Sequence, residues 1–307
     1  MIACLFAGQG SQYVGMGSKM AAESVAARLV YEEAASVAGT DLQRLDEAML
    51  SQTRYAQLAI VTLSLASYAA LQAEGVLAGP VAYAGFSLGE YSAIGAAGIL
   101  STTDVLRLVE ERSRLMQQAS EINPGAMYAI LGLDDAVIES ILAKDAYHNQ
   151  VFPVNYNCPG QLVIAGSTAE AAAAADELKA AGAKRALKLN VSGAFHTRFM
   201  APAAAGLSEF ASRLTFAEPK GLVFSNRSGQ ALPASINWPD YLADHLCNAV
   251  RWTNEVQAIS QAGAKAYIEI GPGKTLSGLI KKIIAGAAIA NVEDPDSLAA
   301  AVVLLKG

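Results

Sequence analysis

Gly85-Phe86-Ser87-Leu88-Gly89 sets a serine between two glycines. The apolar run 81–84 precedes it, and a helical pattern with Glu90 in its first turn follows. A Gly-x-Ser-x-Gly pentapeptide between a strand and a helix has the form of a nucleophile elbow. The turn is too tight for side chains at its flanks, so both flanks are glycine. Ser87 is lifted from the sheet edge, and the helix behind it aims free N–H groups and a positive dipole end at any oxyanion formed there. The competing reading is a plain tight turn. A nucleophilic serine also needs a base. The chain has three histidines. His196, in Gly193-Ala194-Phe195-His196-Thr197, lies where a strand gives way to a helix. A lone histidine is more often structural, and it is the elbow serine that singles this one out. His245, in the helix-like segment 241–247, is the second candidate. His148 falls in a polar loop and is a poor one.

Arg112 is the third residue with chemical content. The helix over 103–119 has an apolar face of Val105, Leu108, Val109, Leu115 and Met116, and Arg112 sits in its middle. A buried arginine must be paired or must await an anion. Taken alone, the position favours a salt bridge to a core carboxylate or a side chain snorkelling outward. Two glycine loops are less decisive. Gly8-Gln9-Gly10-Ser11-Gln12 follows a strand over 2–7 but fails the dinucleotide fingerprint at Tyr13. It reads equally as a strand-to-helix turn or as backbone freed to approach a ligand. Gly273-Lys274-Thr275 invites a phosphate-loop reading, which fails because the required glycine is Ile268.

Composition bounds the chemistry. The 307 residues are 53% apolar and only 16% charged, enough for a large core and too hydrophobic for a disordered chain. A net charge of −6 argues against a general nucleic-acid binder. Cys4, Cys158 and Cys247 have no metal-ligand spacing and suit a reducing compartment, hence the cytoplasm. The N-terminus runs directly into Ile2-Ala3-Cys4-Leu5-Phe6 without a basic leader. No apolar run is expected to span a membrane.

The elements that must position Ser87, His196 and Arg112 form an α/β pattern. Helices are expected over 19–38 and 56–74. From 126 the order is strand (126–133), helix (134–144), two strands (151–155 and 161–165) joined by Asn157-Cys158-Pro159-Gly160, helix (168–181) and strand (184–191). That β-α-β-β-α-β order is a split βαβ, ferredoxin-like unit. Asn123-Pro124-Gly125 and Ser192-Gly193 read as hinges around it. The expected division is a large α/β domain over 1–124 and 194–307 with a small domain inserted at 125–193. Later strands are expected at 222–225 and 266–270, and a helix from Thr275 to Ile284.

With these motifs in place, the chain resembles the malonyl-CoA:acyl-carrier-protein transacylases, acyltransferases of bacterial fatty-acid and polyketide synthesis. The resemblance covers essentially the whole chain. It rests on Gly8-Gln9-Gly10-Ser11-Gln12, Gly85-Phe86-Ser87-Leu88-Gly89-Glu90-Tyr91-Ser92, Arg112, Val154-Asn155-Tyr156-Asn157, Phe195-His196 and Glu269-Ile270-Gly271-Pro272-Gly273. It implies a hydrolase-like parallel-sheet core with an inserted ferredoxin-like domain. Ser87 would take the acyl group, with His196 as its base. The backbone N–H groups of Gln9 and Leu88 would form the oxyanion hole. Arg112 would hold the malonyl carboxylate by a bidentate fork, against the structural reading above. Asn155 and Phe195 would contact substrate, and the Phe195-His196 pair resembles the malonyl-selective pattern. The implied partners are malonyl-CoA and phosphopantetheinylated acyl carrier protein, with no metal, no further cofactor, no nucleic acid and no membrane, in a monomer.

The chain departs from that family at several positions. Phe86 stands where histidine is common, and Phe6-Ala7 replaces Phe-Pro. His245 stands where a glutamine is common, at a position that orients the base through its main-chain carbonyl. Rival readings are a serine thioesterase or hydrolase, a non-catalytic carrier-binding module, and a discrete acyltransferase serving a polyketide synthase. Arg112 argues against the first, since a general esterase has no need of a buried cation. An intact serine, histidine and arginine set argues against the second.

Overall fold

Two sheets organise the chain. The fold is that of a computed structural model, which describes residues 1–191 and 193–306. In chain order, the first part runs β1 (Ile2–Phe6), α1 (Ser18–Glu23), α2 (Val25–Ala38), α3 (Glu47–Leu50), α4 (Thr53–Ala73), β2 (Val81–Gly85), α5 (Gly89–Ala96) and α6 (Thr102–Ile122). A middle segment follows with β3 (Gly125–Leu131), α7 (Asp135–Leu142), β4 (Val151–Cys158), β5 (Gln161–Ser167), α8 (Thr168–Ala180) and β6 (Arg185–Lys188). The last part is α9 (Ala201–Ala211), β7 (Leu222–Val223), α10 (Trp238–Cys247), α11 (Trp252–Gln261), β8 (Ala266–Ile270), α12 (Thr275–Ile283), β9 (Ala288–Val292) and α13 (Pro295–Lys306).

The first sheet has the order β7-β2-β1-β8-β9, and every pairing in it is parallel. Its central strands β1, β2 and β8 are buried because helices cover both faces, which is why they read as continuous apolar runs. Cys4, Phe6 and Tyr83 point into the core beneath α2, α4 and α6. Ala3, Leu5, Ala82 and Ala84 point the other way, onto Trp252, Val256 and Ile259 of α11 and Leu276 and Ile280 of α12. The second sheet is antiparallel with the order β4-β5-β3-β6, the split βαβ arrangement expected from the sequence. Its own core is Ile130, Ile138, Leu162, Ile164 and Leu178. The chain enters and leaves this unit side by side, with Pro124 and Gly193 facing each other in an antiparallel bridge. Ser192, read as part of the second hinge, lies outside the described residues.

Local chemistry explains where the elements differ from the pattern. The helix expected over 19–38 is two helices. Ser24 is extended (φ −110°, ψ 120°), and its hydroxyl accepts the Ala27 N–H at 3.2 Å, so it caps α2 instead of continuing α1. The turn expected at Asn157-Cys158-Pro159-Gly160 shrinks to its last two residues, because β4 continues through Cys158 by way of two register shifts. β6 is shorter than expected, four residues at the sheet edge paired to β3 alone. β9 and α13 close the first sheet in a segment where no element was expected. Helix α4 tests the membrane expectation without overturning it. It is long and apolar enough to cross a bilayer, yet 83% of that stretch is buried inside the protein, which makes it the central core helix of the α2–α4–α6 layer.

Where α5 begins, it crosses the end of β1 at very close range. A Cβ on Gly89 would sit 2.1 Å from the Phe6 carbonyl oxygen, whereas a Cβ on Gly278 in α12 would meet nothing within 4 Å. Gly89→Ala is therefore expected to destabilise the fold by about 3 kcal/mol or more, because rigid backbone must move. Gly278→Ala should instead stabilise it by roughly 0.5–1 kcal/mol. Urea unfolding midpoints of the two variants check the contrast.

Candidate active site

The elbow is held by close backbone approaches. A Cβ on Gly85 would lie 2.0 Å from the carbonyl carbon of Gly89, so the turn closes only with glycine there. Ser87 itself adopts φ +51°, in the left-handed region that non-glycine residues rarely enter. Its N–H donates to Asn226 Oδ1 at 2.7 Å. The first glycine loop lies directly against this turn. Phe86 N–H donates to the Phe6 carbonyl at 3.0 Å, and a Cβ on Gly8 would sit 2.6 Å from the Phe86 carbonyl oxygen. Among the described residues, the backbone N–H groups of Gln9 and Leu88 have no protein acceptor. Two unsatisfied donors on adjoining loops beside a serine hydroxyl are what an oxyanion requires.

His196 reaches the serine from the other side. Its Nε2 is 2.7 Å from Ser87 Oγ. Its Nδ1 lies 3.1 Å from the His245 carbonyl and 3.0 Å from the Asn248 carbonyl. Carbonyl oxygens only accept, so Nδ1 carries the proton and Nε2 offers its lone pair to the hydroxyl. Burial, and next the Arg112 charge, push the imidazole pKa down to about 4, so His196 is neutral near pH 7. The second candidate, His245, serves differently. Its side chain faces Asn226 Oδ1 at 3.3 Å and Glu90 at 3.6 Å, while its main-chain carbonyl holds His196. Burial lowers its pKa well below the ordinary value. His148 is exposed in the second unit.

Arg112 is 1% exposed in the middle of the α6 apolar face, as its spacing implied. Nη1 donates to Gln57 Oε1 at 2.7 Å, and Nη2 lies 3.5 Å from Ser87 Oγ. The guanidinium sits over the Tyr91 ring at 5.0 Å. Nε has no hydrogen-bond partner. Among the described residues no carboxylate lies within ion-pair distance, so the salt bridge that its position favoured is absent. Burial lowers its pKa, since desolvation penalises the charged form. Gln57 is the partner that sequence reading missed. It is a fully buried amide on the apolar helix α4, and its Nε2 also reaches Gln9 Oε1 at 3.3 Å. A polar residue in so apolar a stretch was the available signal.

A cleft of about 240 Å³ runs between the two sheets, lined by Gln9, Phe86, Asn155, Asn157, Leu189 and Thr275 among others. Larger hollows of about 430 and 520 Å³ lie elsewhere, at Met20 and Val302 and at Phe216 and Trp238. Asn155 enters the cleft at the first β4 register shift, where the strand also bridges Val250. Its Oδ1 and that of Asn157 are buried and without partners. Phe86 packs edge-on against Trp252 at 5.6 Å, an aromatic wall where a histidine was the family expectation. Phe195 is buried beside Gly193 in the main core, next in the chain to His196. The Gly271–Thr275 loop holds no free anion site, because Glu269 accepts from Leu276 N–H (2.9 Å) and Ser277 N–H (2.7 Å) at the start of α12. Among the described residues there is no cluster of three or more metal-ligating side chains.

Residues 4–294 match the family described as the acyl transferase domain. The chain is 40% identical over 306 residues to the malonyl CoA-acyl carrier protein transacylase of Escherichia coli K12, covering 98% of this chain and 99% of that protein. The crystal structure of the corresponding enzyme from Streptococcus pneumoniae superposes with a TM-score of 0.92 at 38% identity, covering 98% and 99% of the two chains. A malonyl-transacylase solved in complex with its type II PKS acyl-carrier protein superposes equally well, with a TM-score of 0.92 at 39% identity over 98% of each chain. A motif order spread over the whole length, a parallel sheet with an antiparallel companion, and matches that span nearly all of each relative agree, and the chain belongs to the acyl transferase domain family.

Proposed function

We propose that this protein moves the malonyl group from malonyl-CoA to the phosphopantetheine thiol of acyl carrier protein, through a malonyl ester on Ser87, in the service of fatty-acid synthesis. The observation that carries the reading is the guanidinium of Arg112. With Nη1 committed to Gln57, its Nε and Nη2 form a free edge, and Nη2 is 3.5 Å from the nucleophile. A carboxylate is the ligand that such an edge binds by two parallel charge-assisted hydrogen bonds. Near-identical overall architecture to a carrier-bound transacylase supports the choice of partner.

The chemistry follows from the geometry. Ser87 Oγ attacks the thioester carbonyl while His196 Nε2 takes its proton. The N–H groups of Gln9 and Leu88 receive the oxyanion. Collapse of the tetrahedral adduct expels the CoA thiolate, which takes the proton from Nε2. The carrier thiol then gives its proton to the same nitrogen and attacks the ester, and Ser87 leaves as the hydroxyl. Thioester exchange is near thermoneutral, so positioning and charge stabilisation suffice; we read the malonyl group as the only covalent passenger. Residues 125–193 act as a small domain beside the cleft, on a large domain of 1–124 and 194–307. Exposed Lys188, Arg198, Lys274 and Lys281 supply local attraction for an acidic carrier on a chain of net charge −6. Three unpaired thiols agree with a cytoplasmic location.

Intact mass after mixing with malonyl-CoA tests the covalent step: one malonyl group should add to the wild type and none to Ser87→Ala. Arg112→Ala should lose malonyl transfer by roughly 100-fold or more, on the basis of about 3 kcal/mol for breaking a buried charge-assisted pair, while acetyl transfer changes little. The ratio of kcat/KM for malonyl-CoA and acetyl-CoA reads this directly, and an unchanged ratio would sink the assignment. His196 titrates at about 4 in the fold and is the working base only when neutral. The rate that depends on it should therefore stay level from neutral pH down to about 5 and fall as pH drops through about 4. His196→Ala should cost roughly two to four orders of magnitude.

A further inference from the structure

We propose that Asn226 is a positioning residue that holds the nucleophile turn in its reactive shape by standing in for a missing strand. The proposal rests on Ser87 being the nucleophile. β7 pairs with β2 only at Ala82–Leu222 and Tyr83–Val223, and the ladder continues one step further through Phe224 N–H to the Tyr83 carbonyl at 2.9 Å. The chain then turns away at 226–228. Further along that side of β2 lie the Gly85 carbonyl and the Ser87 N–H, and β7 ends before it could pair with either. The Asn226 side chain supplies the missing partner. Its Nδ2 donates to the Gly85 carbonyl at 2.7 Å, and its Oδ1 accepts from Ser87 N–H at 2.7 Å. A primary amide has the donor and acceptor of a peptide group, so it can clamp both sides of the residue between them.

Nothing about this amide is free to move. Asn226 is 1% exposed, and its second Nδ2 hydrogen goes to Glu255 Oε2 at 2.8 Å. Its own N–H goes to Glu90 Oε2 at 2.8 Å, and its carbonyl accepts from Arg251 N–H at 2.7 Å. His245 Nε2, at 3.3 Å, reaches the same Oδ1. The residue whose carbonyl orients the base therefore touches the residue that orients the nucleophile. Because Ser87 sits at φ +51°, the clamp fixes the direction of both its hydroxyl and the next N–H, that of Leu88. The amide of Asn226 is committed to Gly85, Ser87 and Glu255, with no polar atom left over for a substrate, so its effect falls on the chemical step and not on binding.

The ionisable groups facing it are Glu90 from α5, Glu255 from α11, Tyr241 and His245 from α10, and, through Glu90, Arg112 from α6. Burial pushes the Glu90 carboxyl up to about 7 and that of Glu255 well above its ordinary value. The site thus tolerates neutral carboxyls, and this supplies the test. In Asn226→Asp a protonated carboxyl still offers one donor and one acceptor, whereas the ionised form offers no donor. Single-turnover malonylation of Ser87 should run within about tenfold of wild type near pH 5.5, and the ratio of variant to wild type should fall by a further factor of about 30 by pH 8.5. Asn226→Ala should slow malonylation by about 100-fold at every pH, with malonyl-CoA affinity in the Ser87→Ala background changed by less than about threefold. Ser225→Ala, a neighbour bonded to Tyr241 but not to the turn, should stay within about threefold of wild type. A pH-independent Asn226→Asp ratio, or an Asn226→Ala loss that appears in affinity instead of rate, would overturn the proposal. Should Asn226→Ala fail to fold, the Asn226→Asp profile decides alone. Failure of the wild type itself to load malonyl would count against the acyl-transfer reading, not against the clamp.

Discussion

The whole site depends on one close approach, that of the elbow turn to the end of β1. Gly89 lies so near the Phe6 carbonyl that no side chain fits, and Gly8 in turn lies close against the Phe86 carbonyl. These two contacts bring a loop from the start of the chain and a loop from residue 86 to the same point. Each loop brings an N–H group with no protein acceptor. The oxyanion hole proposed for Gln9 and Leu88 needs both loops. The parallel register of β1 with β2, Phe6 beside Gly85, is what sets them side by side.

Around that point the protein removes charges from water without pairing them in the usual way. Arg112 is buried with a neutral amide and an aromatic face as partners. His196 is buried beside two carbonyls, where a carboxylate would have favoured its protonated form. Glu90 and Glu255 are buried behind the elbow, and burial raises the pKa of both. An arginine kept short of an anion and a histidine kept neutral are complementary devices. In the proposed mechanism the first receives a carboxylate, and the second receives a hydroxyl proton.

The fold and the centre of the site were legible in the sequence to different degrees. Glycines at 85 and 89 announced the elbow because only glycine satisfies its sterics. The β-α-β-β-α-β order announced the second sheet because side-chain period tracks element type. Arg112 announced itself by polarity on an apolar face, although its helix alone pointed to a salt bridge and only the fold brings Gln57 and Ser87 to it. Asn226 and Asn248 were not legible at all. They act through a side-chain amide and a main-chain carbonyl contributed from 139 and 52 residues away, and no local pattern marks them. The break at Ser24 and the late segment of β9 and α13 were missed for a simpler reason. A capping serine overrode a continuous helical pattern, and an alanine-rich ending gives little periodicity to read.

The carbonyl pair that holds His196 has a consequence for what becomes of the acylated serine. A base whose conjugate acid titrates at about 4 is a weak one. A thiol is within its reach as a proton donor, whereas water, a far weaker acid, is much harder to activate. On the mechanism proposed for Ser87 and His196, the site therefore discriminates against water by acidity. On that mechanism a weak base favours transfer to a thiol over hydrolysis of the ester. An aspartate in place of the two carbonyls would raise the imidazole pKa and make it a stronger base toward water.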